Sequence, residues 1–420
     1  MTESTQLGDP LFERRFSGVA ARSLLILSLF SMLLSGEAAL AFEPPKRIIS
    51  SVMVQGVPNP VHIPKGYRLE LLTDELSSPR MLTFAQNGDL LIGSRSGAVY
   101  HLAPPYRDPR VLVEAGGYPH SIVVHEGRML IARTDGLYAA PYLPGQDRVE
   151  PGVLRLLASL PAGGGGHTSR TVHVGPDGRI YVGLGISGNC SNEYLDGDYP
   201  FNLRRGGVLV LDESMEPPRF MTFASGLRNP IGFDWHPDTG QLYASNNGPD
   251  HLGFDQPPEY FSLLERGSFH GMPWYQFDGR RLSRDECIQG KPPRPMRDVP
   301  APVATFPSRS APMGVAFVPK GALSPDFEGD AVVALHGSWA TAPFGRASGD
   351  PAKRREPKLV VVNFKEGQAT EVEDLVIGFQ RGDGSRWARP VGVAFGPDGA
   401  LYFTSDFGAE ALFRLRRDDL

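Results

Sequence analysis

RPVGVAFGPDGALYFT, residues 389–404, reads as two apolar strands joined by a tight turn at Gly399. The same phrase occurs five more times. The copies are PRMLTFAQNGDLLIG from Pro79, PHSIVVHEGRMLIA from Pro119, SRTVHVGPDGRIYVG from Ser169, NPIGFDWHPDTGQLYAS from Asn229, and APMGVAFVPK…FEGDAVVA from Ala311. Each predicts a hairpin turning at Gly88, Gly127, Gly178, Gly240, Gly329 or Gly399, because a tight turn needs a residue that tolerates positive φ. Hairpins repeated at blade-like intervals, with no helical repeat, predict an all-β chain. The expected architecture is a six-bladed β-propeller with four-stranded antiparallel blades around a central channel.

In such a toroid the residue entering the first strand of each copy faces a shared channel. Those entry residues are Arg80, His120, His167 with Arg170, Arg228 with Asn229, Arg309, and Arg389. A single one could be a surface charge. A basic or imidazole group at the same phase in every copy instead suits a planar, multiply anionic ligand, since guanidinium presents a rigid fork of donors to carboxylates.

The bulk numbers agree. Gly 49 and Pro 39 in 420 residues fit many turns and few helices. A net charge of −5 and the lack of any basic run interleaved with aromatics argue against nucleic acid as a partner. The KRREP stretch, Lys353–Pro357, reads as a solvated loop. Residues 1–41 read as a signal peptide: Arg14, Arg15 and Arg22 precede an apolar run from Leu24 to Leu34, and Ala39-Leu40-Ala41 offers small residues for cleavage. The propeller domain is then expected over residues 42–420, periplasmic or secreted, touching a membrane only if the signal stays uncleaved. Cys190 and Cys287 are compatible with one disulfide or with two buried thiols.

Five constellations carry candidate chemistry. In GGGGHTSR, residues 163–170, glycines leave His167 uncrowded, and an imidazole at a channel mouth is a natural general base. In GLRNP, residues 226–230, Pro230 holds Asn229 extended beside Arg228, so both can donate to carbonyl and carboxylate oxygens. In NNGPD, residues 246–250, the Gly248 and Pro249 carbonyls with Asp250 are hard oxygen ligands of the kind calcium takes, with Asp255 and Glu259 following. An ordinary turn is the competing reading there. His336-Gly337-Ser338-Trp339 suits a sugar or planar cofactor, although Trp339 could equally be core. Lastly, Arg389 follows Gly382-Asp383-Gly384 and Trp387.

Together GGGGHTSRTVHVGPDGRIYVGLG, FASGLRNPIGFDWHPDTGQLYASNNGPDHLG, ALHGSW and RPVGVAFGPDGALYFTSD resemble the sorbosone dehydrogenase group, related to soluble glucose dehydrogenases that use pyrroloquinoline quinone (PQQ). The resemblance runs from about Tyr67 to Arg416. It implies PQQ and calcium over the central channel and oxidation of an aldose or sugar aldehyde. His167 would take the proton from the anomeric hydroxyl while hydride passes to the quinone. Arg228, Asn229 and Arg389 would contact PQQ, with Trp339, Arg309 and His120 as further cofactor-binding candidates. Gly248 and Pro249 would ligate calcium beside Asp250. No CxxCH occurs, so the external electron acceptor is expected to be a separate cytochrome or quinone.

The chain also departs from that pattern. SWAT at Ser338–Thr341 stands where SWNR is usual, Arg309 where a histidine is common, and Ile186 where the glucose dehydrogenases place an acid. The insertion between Phe344 and Lys358 is longer than usual. Two other readings therefore stay open: a propeller that binds sugar or protein without catalysis, and a calcium-dependent sugar lactonase.

Overall fold

A computed structural model describes residues 47–162, 165–342 and 347–418. The expected signal peptide lies outside them, as do Gly163 and Gly164 of the four-glycine run. Among the described residues no helix is long and apolar enough to cross a membrane.

Each of the six phrases forms the first two strands of a four-stranded antiparallel sheet, giving six blades. These pairs are Pro79–Phe84 with Leu90–Ser94, Ser121–His125 with Arg128–Arg133, Arg170–Val174 with Ile180–Leu184, Phe233–Trp235 with Leu242–Asn246, Pro312–Phe317 with Ala331–Leu335, and Pro390–Phe395 with Leu401–Phe407. All six turn glycines have positive φ, between 65° and 86°. The second strands are almost wholly apolar and buried, as LLIGS and AVVAL show, because layers of neighbouring blades cover both faces.

The last blade is completed from the other end of the chain. Tyr67–Thr73 pairs antiparallel with Ala409–Arg417, so the ring closes through strand hydrogen bonds. Closure ties the two ends of the chain into one blade, while each blade keeps its own edge strand.

Neighbouring inner strands approach so closely that side chains are excluded at three points. A Cβ on Gly232 would collide with the Met313 carbonyl, one on Gly314 with Val391, and one on Gly392 with Arg80. Hydroxyls stitch the same seams: Ser121 Oγ donates to Val172 O, Thr171 Oγ1 to Ile231 O, Ser245 Oγ to Met313 O and Thr404 Oγ1 to Arg80 O. These bonds satisfy buried polar groups that the sheet ladders leave unpaired.

The fourth blade carries an insertion between its third strand, Glu259–Leu264, and its outer strand, Ala304–Phe306. It contains the hairpin Tyr275–Phe277 with Leu282–Arg284 and the cysteine Cys287. Cys190 and Cys287 are bonded, with Cα atoms 5.5 Å apart. This settles the choice between disulfide and free thiols.

The cross-link closes 97 residues, which constrains the unfolded chain. The double variant Cys190→Ser/Cys287→Ser is expected to lose about 2–4 kcal/mol of unfolding free energy. Urea denaturation reads this loss, and an unchanged midpoint would show that the bond adds nothing.

Candidate active site

A cavity of about 440 Å³ opens at the channel mouth, lined among others by Arg80, His167, Arg228, Asn229, Asp250, Glu259, Arg309, His336, Trp339 and Arg389. The hairpin geometry explains why. In an antiparallel pair the first residue of the inner strand lies beside the end of the second, as in Pro79↔Ser94 and Pro312↔Leu335, and in Pro390↔Ser405 two residues before it. The entry of one strand and the exit of the next therefore deliver residues to the same end. The entries supply Arg80, Arg228, Arg309 and Arg389, while the exits supply Arg95, Asn247 and His336.

Five arginines, Arg80, Arg95, Arg228, Arg309 and Arg389, line this space together with the acids Asp250 and Glu259. Burial pushes the Glu259 carboxyl up to about 7, which weakens even that negative charge. The site suits an anion.

His167 lines the cavity as expected. Its Nδ1 lies 2.5 Å from Ile186 O, and a carbonyl can only accept, so Nδ1 carries the proton and Nε2 holds the lone pair. Two buried arginines hold its backbone. Arg170 Nη1 donates to His167 O at 3.1 Å and Arg205 Nη2 to the same oxygen at 2.8 Å. Burial first, then repulsion from Arg228, lowers the imidazole pKa to about 4, so it is neutral at pH 7.

Arg389 is fastened by Nε to His336 O at 2.9 Å and by Nη2 to Gly337 O at 2.8 Å. Its Nη1 has no partner among the described residues. The Trp339 ring lies 4.5 Å from this guanidinium and is 54% exposed, so Trp339 is a rim residue and not core. Arg228 donates Nε to Asn189 Oδ1 and Nη2 to Asp250 Oδ2, both at 2.9 Å. Cys190 neighbours Asn189 in sequence, so the disulfide anchors the residue that aims Arg228.

Three expectations need correction. His120 does not line the cavity: it is fully buried, with Nδ1 at 3.1 Å from Arg170 O, and serves the seam between blades. Arg170 is likewise buried, spending its donors on Pro161, His167 and Ser169 carbonyls. The KRREP stretch is only partly a solvated loop. Arg354 lies 5.8 Å over Trp339, while Arg355 packs 4.3 Å over Phe254 and donates to Ser308 O and Asp255.

Of the proposed metal ligands, Gly248 and Asp250 line the cavity. Pro249 O, however, accepts from Arg309 Nη1, and Asp250 is shared between Arg309 and Arg228.

The sequence reading missed a carboxylate. Asp406 Oδ1 lies 2.6 Å from His336 Nε2, and Oδ2 accepts from Arg80 at 2.5 Å. Burial raises the Asp406 carboxyl, but His336 and Arg80 outweigh it and hold the group well below the carboxylate range. His336 itself falls to about 4, chiefly through burial. Asp406 is the penultimate residue of the second strand of the last phrase and His336 follows that of the fifth, so a search of strand exits would have found both.

A family model described as TrAA12-like matches residues 61–257. A curated relative, an uncharacterized protein of Borreliella burgdorferi, is 23% identical over 377 residues, covering 86% of this chain and 93% of its own length. Among solved structures, the holo form of the pyranose dehydrogenase PQQ domain from Coprinopsis cinerea superposes with a TM-score of 0.67 at 20% identity. It covers 86% of this chain and 97% of the other. The calcium structure of a Trichoderma reesei carbohydrate-active enzyme of family AA12 gives 0.69 at 18% identity, covering 85% and 96%. The propeller fold is shared with both, and the resemblance drawn from the motifs stands.

Proposed function

We propose that this chain is a PQQ-dependent oxidoreductase acting on the C1 hydroxyl or hydrated aldehyde of a sugar. The observation that carries the reading is the set of five arginines lining one cavity of about 440 Å³, with a neutral histidine on its wall. That volume falls in the range of small-molecule sites. A planar tricarboxylate fits the donor set: Nη1 of Arg389 has no partner among the described residues, Trp339 offers an exposed ring face, and Arg228 and Asn229 line the same cavity.

Bound there, PQQ would supply a quinone able to accept hydride. The protein's own residues do the rest. Arg389 and Arg228 would hold the cofactor's negative charge, and Trp339 would offer an aromatic surface beside it. His167 Nε2 takes the proton of the sugar hydroxyl, and the Ile186 carbonyl, hydrogen-bonded to Nδ1, steadies the imidazolium that forms.

Calcium fits this chain less simply. The Pro249 carbonyl and both Asp250 oxygens are already engaged by guanidinium groups, so no step is routed through the metal.

His336 favours a second reading of the base, because it alone of the two cavity imidazoles has a carboxylate partner. The Cys190–Cys287 disulfide supports an exported setting for this activity, since such bonds persist outside the cytoplasm. Electrons would then leave to a separate cytochrome or quinone.

The test is reduction of an artificial electron acceptor by the purified protein with PQQ and a panel of aldoses and sugar aldehydes. Turnover dependent on PQQ is the expected result. Tight PQQ binding without turnover on any substrate would leave a binding propeller, and lactone hydrolysis without PQQ would leave a lactonase.

A further inference from the structure

The guanidinium of Arg309 sits inside the turn that the sequence marks for a metal. Nη1 donates to Pro249 O and, at 3.0 Å, to Asp250 Oδ1. Nη2 donates to Gly253 O and, at 3.0 Å, to Gln256 O. Three backbone carbonyls and a carboxylate, all from residues 249–256, thus surround one cation. This is the donor set that a hard divalent ion takes, filled from within the chain. Arg309 is buried to 4% exposure, so its charge needs such partners.

Its backbone is also committed to the arrangement. Arg309 adopts φ of 68°, in the left-handed region that a side-chain-bearing residue seldom enters, and Ala311 follows at 52°. Strain of this kind persists only where surrounding contacts over-determine it. Here the contacts are the four oxygens, which reach Arg309 from residues more than 50 positions away.

We infer that the 249–256 turn is a cation cage whose resident cation is the Arg309 guanidinium, and that Ca²⁺ enters it only by displacing that group. Two arguments exclude joint occupancy. Calcium needs its oxygens at about 2.3–2.6 Å, and an ion bridging Pro249 O and Asp250 Oδ1 from within the turn would take the space that Nη1 fills. It would also face two guanidinium groups across one carboxylate, since Arg228 holds Asp250 Oδ2. The displaced arginine would add a free charge to a cavity it already lines.

Neither PQQ nor a sugar enters this inference, so it stands or falls apart from the proposed oxidation. Ca²⁺ is titrated by calorimetry, and Tb³⁺ by luminescence, into the PQQ-free protein and its Arg309→Gln and Arg309→Ala variants. Both variants are expected to bind at least tenfold more tightly than the wild type. Asp250→Asn added to Arg309→Gln should abolish the gain.

Equal or weaker binding by the variants, or no binding by any of them, would overturn the inference. Should the variants fail to fold, the wild type still decides. Its melting temperature is expected to be the same in 1 mM EDTA and in about 1 mM CaCl₂, because an ion that binds the folded state appreciably must raise it. A clear rise in the wild type would overturn the cage's occupancy by Arg309.

Discussion

Replacing His167 with alanine is expected to lower kcat for sugar oxidation by about 10²–10⁴-fold while PQQ stays bound, the range over which a positioned base contributes. The argument rests on the tautomer. The Ile186 carbonyl takes the Nδ1 proton, leaving Nε2 able to accept one. Burial and the Arg228 charge bring the group to about 4, so the competent neutral form dominates at neutral pH.

The sign of the pH dependence follows. A base works unprotonated, so kcat/KM falls on the acid side as the imidazole gains its proton. An anionic ligand opposes the arginine charges and raises the midpoint somewhat, and the limb is expected below the ordinary histidine value of 6.5. In the PQQ-free protein, an NMR titration of His167 is expected near pH 4. A limb at 6.5, or a tenth of the activity remaining in His167→Ala, would remove His167 from this role. His336→Ala is expected to keep more than a tenth of kcat, since Nε2 of His336 is committed to Asp406. If the two variants fall in the opposite order, the base is His336, and Asp406→Asn must then lower kcat with it.

Arg389→Glu is expected to weaken PQQ binding by at least about 10³-fold, read by fluorescence titration without substrate. Loss of charge-assisted hydrogen bonds accounts for about 1.5–3 kcal/mol, and placing a carboxylate against a carboxylate costs several more. Arg389 is the residue to choose because two of its nitrogens are fixed by the His336 and Gly337 carbonyls while Nη1 is unspent. Arg80, by contrast, already neutralises Asp406. Arg389→Lys should recover part of the affinity, since a point charge remains but the fork is gone. Undiminished binding by Arg389→Glu, in a variant that melts like the wild type, would refute an anion site at this wall.

The propeller and the basic character of its mouth were legible because both are carried by local, repeated signals. Short apolar runs mark the strands, glycine marks each turn, and the repeat brings Arg80, Arg228, Arg309 and Arg389 to one end. His120 shows where phase alone is insufficient. It occupies the same entry, yet its Nδ1 meets Arg170 O across the seam between two blades, a contact that depends on packing and not on position in the repeat.

What the chain determined unaided was thus the number of blades, the hairpin turns and the surplus of positive groups over one cavity, since each follows from spacing within some fifteen residues. Only the tertiary structure decided what those groups hold. Asp406 meets His336 across 70 positions, Arg309 fills a turn more than 50 positions earlier, Cys190 finds Cys287 across 97, and Tyr67–Thr73 closes the last blade against Ala409–Arg417. Such pairings depend on which side chain reaches which oxygen or sulfur once the blades are packed, and no local period records that distance.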